Sequence, residues 1–145
     1  MKTVKDILKD PCREIWSVSP VTTAYAALEL MAEKNIGALL VFENEHLVGI
    51  FSERDYARKV ILKGKASKDT PVSELMTQHI FYVKPGNTLN ECMALMTSKH
   101  IRHLPVFDNN RVTGIITLGD VVKEIISEQE VTIKNLEDFM AYDGF

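Results

Sequence analysis

Two cysteines, Cys12 and Cys92, stand far apart with no CxxC spacing, so the sequence points to neither a disulfide framework nor a thiolate metal site. No apolar stretch approaches the roughly 18 to 20 residues that a membrane-spanning helix needs. The opening MKTVKDILKD alternates charged and apolar residues and lacks the continuous apolar core of a secretory signal. A Gly-rich phosphate loop, a GxSxG elbow and a paired-carboxylate pattern are also missing. Cys12 has no adjacent His or second thiol, which leaves nucleophilic catalysis unsupported. His100 and His103 lack a Cys or carboxylate pattern to complete a metal site, and His46 and His79 lie in other segments. The expectation is a cytoplasmic, reduced, soluble protein, not an enzyme, with no catalytic residue and no metal.

What is present fits a packed globular chain. Of 145 residues, 46% are apolar and 26% charged, and 17 Lys plus Arg against 20 Asp plus Glu leave a net charge of −3. A mildly acidic surface gives no general attraction for nucleic acid or anionic lipid, although a local basic patch can form. Neither nucleic acid nor a membrane is an expected partner.

The sequence repeats itself without a gap. Val18, Pro20, Thr23, Leu30-Met31, Lys34, Ile36, Leu39, Val41-Phe42, Asn44, Gly49-Ile50 and Asp55 meet Val83, Pro85, Thr88, Leu95-Met96, Lys99, Ile101, Leu104, Val106-Phe107, Asn109, Gly114-Ile115 and Asp120. Exchanges such as Trp16 with Phe81 and Ser52 with Thr117 extend the match. A duplicated unit this small cannot bury its apolar face alone, so the two copies are expected to share a core.

Within the first copy, Ile15 to Val18 reads as a short strand and Thr22 to Glu33 as a helix, with Ala24, Leu28 and Met31 on one face. Ala38 to Phe42 reads as a buried strand, Glu43-Asn44-Glu45 as a turn, His46 to Phe51 as a returning strand and Glu53 to Leu62 as a second helix. The second copy gives Ile80 to Val83, Thr88 to Ser98, His103 to Phe107, a turn at Asp108-Asn109-Asn110, Arg111 to Ile116 and Leu118 to Ser127. Short apolar helices, Val4 to Leu8 and Val72 to Met76, precede the copies. The expected fold class is α+β with α/β-type packing, two β-α-β-β-α repeats related by pseudo-twofold symmetry. Repeat 1 spans 4–63, a polar linker 64–71, repeat 2 72–127 and an acidic amphipathic tail 128–145.

Two strand-to-helix turns carry a hydroxyl three residues before a carboxylate: Ser52 with Asp55, and Thr117 with Asp120. As helix starts, the hydroxyls cap and the acids face the positive end of the helix dipole. As ligand sites, the amides receive an anion and each Asp accepts from vicinal hydroxyls, as an acidic residue does for a ribose in dinucleotide folds. Capping that uses only the hydroxyl leaves both readings open. Arg102-His103, just before Leu104-Pro105-Val106, suits phosphate or is a solvent-facing loop. Gly37-Ala38, at the matching place, lets a flat ring approach the backbone. The basic run Arg54, Arg58, Lys59, Lys63, Lys65 and Lys68 is a solvated helix face or a reach toward a phosphate or a partner subunit. It lacks interleaved aromatics for binding single-stranded nucleic acid.

The segments Lys99-His-Ile-Arg-His-Leu-Pro-Val-Phe-Asp108 and Gly114-Ile-Ile-Thr-Leu-Gly-Asp-Val121, on a repeated β-α-β-β-α unit, resemble a tandem cystathionine-β-synthase (CBS) domain pair, or Bateman module. The likeness runs from about Val4 to Ile126. The segment Ser52-Glu-Arg-Asp-Tyr-Ala-Arg-Lys-Val60 is most similar to stand-alone bacterial CBS-pair proteins. The resemblance implies two clefts between the copies for adenosine-containing ligands: AMP, ADP, ATP, NAD(H) or S-adenosylmethionine. One would use Asp120 for a ribose diol, with Thr117 beside it and the adenine against Ile15, Trp16, Ile36, Gly37 and Ala38. The other would use Asp55 and Ser52 with Ile80, Phe81, Ile101, Arg102 and His103. Arg102, His103 and Arg58 would meet phosphates. Leu40 replaces the proline that Pro105 supplies, and Glu53-Arg54 stand where the second copy has Leu118-Gly119. These departures put the Asp120 cleft ahead of the Asp55 cleft. The resemblance also implies a homodimer. The expected function is a non-enzymatic adenine-nucleotide sensor without a catalytic cofactor, whose output passes to a separate partner protein. The alternative is a structural dimerisation module without a physiological ligand.

Overall fold

Helical and strand patterning alternate along the sequence, and the computed structural model, described here for residues 2–8 and 14–128, has the mixed architecture this implies. The chain divides into two compact units. One is Glu14–Phe81, and the other combines Met1–Arg13 with Tyr82–Phe145.

In the unit Glu14–Phe81, strand β1 (Ser17–Val18) runs parallel to β2 (Ala38–Glu43), which pairs antiparallel with β3 (His46–Ser52). Between β1 and β2 lies helix α2 (Ala24–Lys34). Its start is set by Thr23, whose hydroxyl accepts the Ala26 amide at 3.2 Å. Its end is set by Asn35 in the left-handed region at φ 55°. The hairpin turn places Asn44 and Glu45 at φ 50° and 68°. Two consecutive positive φ values give the turn whose twist matches a right-handed strand pair. The unbroken apolar run of β2 is explained by burial along Ala38 to Val41. Ala24, Ala27 and Met31 of α2 pack with Leu39, Val41 and Phe51.

The helix expected over Glu53 to Leu62 is α-helical only at α3 (Glu53–Tyr56) and continues as a π-helical segment, Ala57–Ile61. The Leu62 and Lys65 amides each reach a carbonyl five residues back, at 3.3 and 3.0 Å. Buried Val60 and half-buried Tyr56, tied through its hydroxyl to Ser67 at 2.8 Å, keep this wide turn on the core. Over so few residues apolar spacing does not separate α from π winding.

The second unit repeats the plan with α4 (Leu89–Lys99), β4 (His103–Asp108), β5 (Arg111–Thr117) and α5 (Leu118–Glu128). Val83, Leu89, Cys92, Met96, Leu104, Val106, Ile116 and Val121 are buried. The strand expected over Ile80 to Val83 is reduced to one bridge, Val83 with Val106. Val83 donates to the Pro105 carbonyl and accepts from Phe107. Pro105 has no N–H to carry the ladder back toward Phe81. The acidic amphipathic tail expected over 128–145 lies outside the described residues apart from Glu128, the last residue of α5.

The compact units are offset from the sequence repeats because each takes the segment ahead of the other repeat. Helix α1 (Val4–Ile7) belongs with repeat 2: Val4 donates to the Asn87 carbonyl, Lys5 to Pro85, and Leu89 to Lys2. The 3-10 turn Val72–Glu74 makes the same three bonds to repeat 1: Val72 to Thr22, Ser73 to Pro20, and Ala24 to Thr70. Val4 and Val72 are both fully buried. Gly49 and Gly114 make room for the residues that follow. A Cβ on Gly49 would meet Met76 Cγ at 2.7 Å, and one on Gly114 would meet Leu8 Cδ2 at 2.9 Å.

Candidate functional site

Antiparallel pairing brings the start of one hairpin strand beside the end of the other, and a helix begins there. In the first unit Ala38 is opposite Ser52, and the Glu53 amide donates to the Gly37 carbonyl at 3.0 Å. In the second unit His103 is opposite Thr117, and the Leu118 amide donates to the Arg102 carbonyl at 2.9 Å. Each unit therefore gathers the predicted residues of its own repeat: Gly37, Ala38, Ser52 and Asp55 in one, and Arg102, His103, Thr117 and Asp120 in the other. Ile36 and Ile101 precede these positions, their amides bonded back to Met31 and Met96.

Capping does not leave the carboxylates uninvolved, as the sequence reading assumed. The Ser52 amide donates to Asp55 Oδ2 at 3.0 Å while the Asp55 amide donates to Ser52 Oγ at 3.2 Å, a reciprocal capping box. Thr117 and Asp120 exchange the same two bonds at 2.8 and 3.0 Å. Two of the first three helical amides are thus taken in each repeat, which weakens the reading of these helix starts as anion sites.

The two acids then diverge. Asp55 is buried at 8% exposure and accepts also from the Ser52 hydroxyl at 3.1 Å. Its Oδ1 takes the Thr77 hydroxyl at 3.2 Å and faces Lys59 Nζ at 3.3 Å, one turn along the same helix. Lys59 donates in addition to the Leu75 carbonyl at 2.9 Å. Neither Lys59 nor Thr77 was among the predicted site residues. The Asp55 to Lys59 spacing was the available signal, whereas Thr77 comes from a distant segment. Asp120 is half-buried, and the residue matching Lys59 in the repeat is Glu124, which pairs with Lys2 at 2.6 Å.

The other predicted residues sit as follows. Trp16 and Ile36 are half-buried and pack on the first unit's core, and Lys34 Nζ lies 4.2 Å from the Trp16 ring centroid. Ile15, Ile80 and Phe81 are half-buried, with the His79 ring 4.9 Å from Phe81. Arg102 is exposed and His103 half-buried. Arg58 is exposed on the π-helical segment. His100 serves as the left-handed cap of α4 at φ 56°. Buried Cys92 has its thiol pushed up to about 11 by burial, with the neighbouring Glu91 charge adding to the shift. Glu91 is held below its ordinary value by the Thr88 amide and hydroxyl.

The repeat, the order of elements and the paired strand-to-helix turns describe a known module, and the CBS domain family pattern matches residues 4–62 and 72–127. The chain belongs to the CBS-domain family. The CBS domain-containing protein YhcV of Bacillus subtilis is 34% identical over 129 residues, covering 89% of each chain. A CBS-domain protein structure from Burkholderia ambifaria is 48% identical with a TM-score of 0.86, over 91% of this chain and 99% of that one. The structure of CBSX2 in complex with AMP is 31% identical with a TM-score of 0.72, over 89% of this CBS pair and 99% of that chain.

Proposed function

We propose that this CBS pair is a non-enzymatic regulatory module that binds an adenine nucleotide, with Arg102, His103, Thr117 and Asp120 as its principal contacts. The observation that carries the reading is the convergence of these four residues at one end of the β4–β5 hairpin. A guanidinium and an imidazole donate to phosphate oxygens. A carboxylate accepts hydrogen bonds from vicinal hydroxyls, which is the role proposed for half-buried Asp120 toward a ribose. The AMP complex of CBSX2 supports the ligand class. Within the same unit, Ile101, just ahead of Arg102, is the candidate for contact with the base. NAD(H) and S-adenosylmethionine belong to the same ligand class by their adenosine.

The module acts in the cytoplasm as a homodimer and passes its state to a separate protein. Exposed Val21, Tyr25, Ile61 and Leu62 on the first unit support the dimer. Calorimetric titration with AMP, ATP, NADH and S-adenosylmethionine tests the function. At least one is expected to bind and to raise the melting temperature, and Asp120→Ala is expected to abolish both effects. Silence toward all four at millimolar concentration refutes the nucleotide reading. An Asp120→Ala protein that melts lower by the same amount with and without nucleotide favours the dimerisation module instead.

A further inference from the structure

We propose that the cleft at the turn end of the β4–β5 hairpin is a second ligand site, built to take a free aromatic amino acid. Tyr82, Lys84, Pro85, Phe107 and the turn that begins at Asp108 line it. Its volume of about 590 Å³ lies within the range of small-molecule sites. The cleft is separate from the nucleotide site proposed above. Strand β4 runs from His103 to Asp108, and at about 3.3 Å per residue the turn lies roughly 17 Å from the end where Arg102, His103, Thr117 and Asp120 converge.

Main-chain bonds fix the walls. Val83 is buried through its bridge to Val106, which leaves its neighbours Tyr82 and Lys84 on the outer side. The Lys84 amide donates to Asn87 Oδ1 at 2.7 Å and the Asn87 amide to the Lys84 carbonyl at 3.0 Å, which holds the turn at Pro85. The Tyr82 ring stands edge-on to Phe107 with centroids 5.0 Å apart, yet Tyr82 is 50% exposed, so aromatic surface is left for a third ring. Lys84 and Asp108 are exposed on this cleft and form no ion pair with each other or with another described residue. A zwitterion answers both charges at once, its carboxylate on Lys84 and its ammonium on Asp108. A nucleotide suits the cleft less, because its phosphates would face the Asp108 carboxylate. Repeat 1 keeps the same turn, with Asn44 and Glu45 at φ 50° and 68° against 53° and 64° for Asn109 and Asn110. It has Ser17 and Ser19 where repeat 2 has Tyr82 and Lys84. The shared scaffold therefore does not require the aromatic ring or the cation.

The test is calorimetric titration of the intact protein with L-tryptophan, L-tyrosine and L-phenylalanine, and with tryptamine and indole-3-propionate, which each lack one of the two charges. At least one amino acid is expected to bind, and for L-tryptophan each analogue to bind at least about tenfold more weakly, the worth of one charge-assisted hydrogen bond. Tyr82→Ser and Lys84→Ser, which install the residues of repeat 1 at exposed positions, are expected to weaken amino-acid binding as much while leaving the melting temperature of the free protein nearly unchanged. Silence toward all three amino acids at millimolar concentration overturns the site. So does equal affinity for L-tryptophan and both analogues, or unchanged affinity in both variants. The analogue series reads the wild type and so decides even if a variant does not fold. Displacement of the amino acid by AMP would place it in the nucleotide site and also overturn the assignment, whereas amino-acid binding in a protein silent toward every nucleotide refutes the nucleotide reading alone.

Discussion

Asp55 and Asp120 hold the same place in the repeat, yet the residue a turn further along is a lysine after one and a glutamate after the other. Lys59 draws the first acid into an internal ion pair, where Glu124 in the second repeat pairs instead with Lys2. The hydroxyl-carboxylate spacing was legible because a capping box is a local pattern. The hydrogen bond from Thr77 to Asp55 was not, since Thr77 is brought there by a bridge to Ile50 that no local spacing announces. Burial also acts on Cys92, which replaces the Ala27 of the first repeat. Its thiol stays protonated to about 11 in the folded chain against 9.0 for the unperturbed group. Through that window the unfolded chain has released a proton that the folded chain keeps, so stability falls as pH rises. Thermal melts across this alkaline range are expected to fall less steeply for Cys92→Ala than for the wild type. Parallel slopes would exclude the thiol as the cause.

At the scale of elements, each hairpin has a glycine filled by a side chain from the segment ahead of the other repeat. A Cβ on Gly49 meets Met76 near its root, with Cγ at 2.7 Å and Cβ at 3.1 Å. One on Gly114 meets the methyls of Leu8 at 2.9 and 3.1 Å, with Cγ at 3.6 Å. Side-chain ends yield more easily than atoms close to the backbone. Gly49→Ala is therefore expected to cost more than Gly114→Ala, within the roughly 1 to 3 kcal/mol typical of overpacking. Chemical denaturation measures both, and the reverse ranking would contradict this packing. Hairpins, turns and the long helices were readable from apolar period and Asn-rich turns. The strand at Ile80 to Val83 was not sustained, because Pro105 lies on its partner and removes a donor. The π-helical segment was missed because Tyr56 and Val60 fit either winding.

For the whole molecule, the two divisions of the chain make different forecasts about fragments. Residues 14–81 include Val72 and Leu75, which belong to that unit's core, whereas residues 4–63 lack both and Met76 as well. The 14–81 fragment is expected to show more helix and strand by circular dichroism, and a more cooperative melt, than 4–63. Equal spectra and melts would show that the exchanged segment matters little. The same exchange sets an order of events during synthesis. One unit is a single continuous run, so all its parts have been synthesised once Phe81 is added. Helix α1 is made before that run, but its hydrogen-bond partners Pro85 and Asn87 come only after it. Helix α1 must therefore wait, its apolar Val4 without its native burial, until a long loop can close.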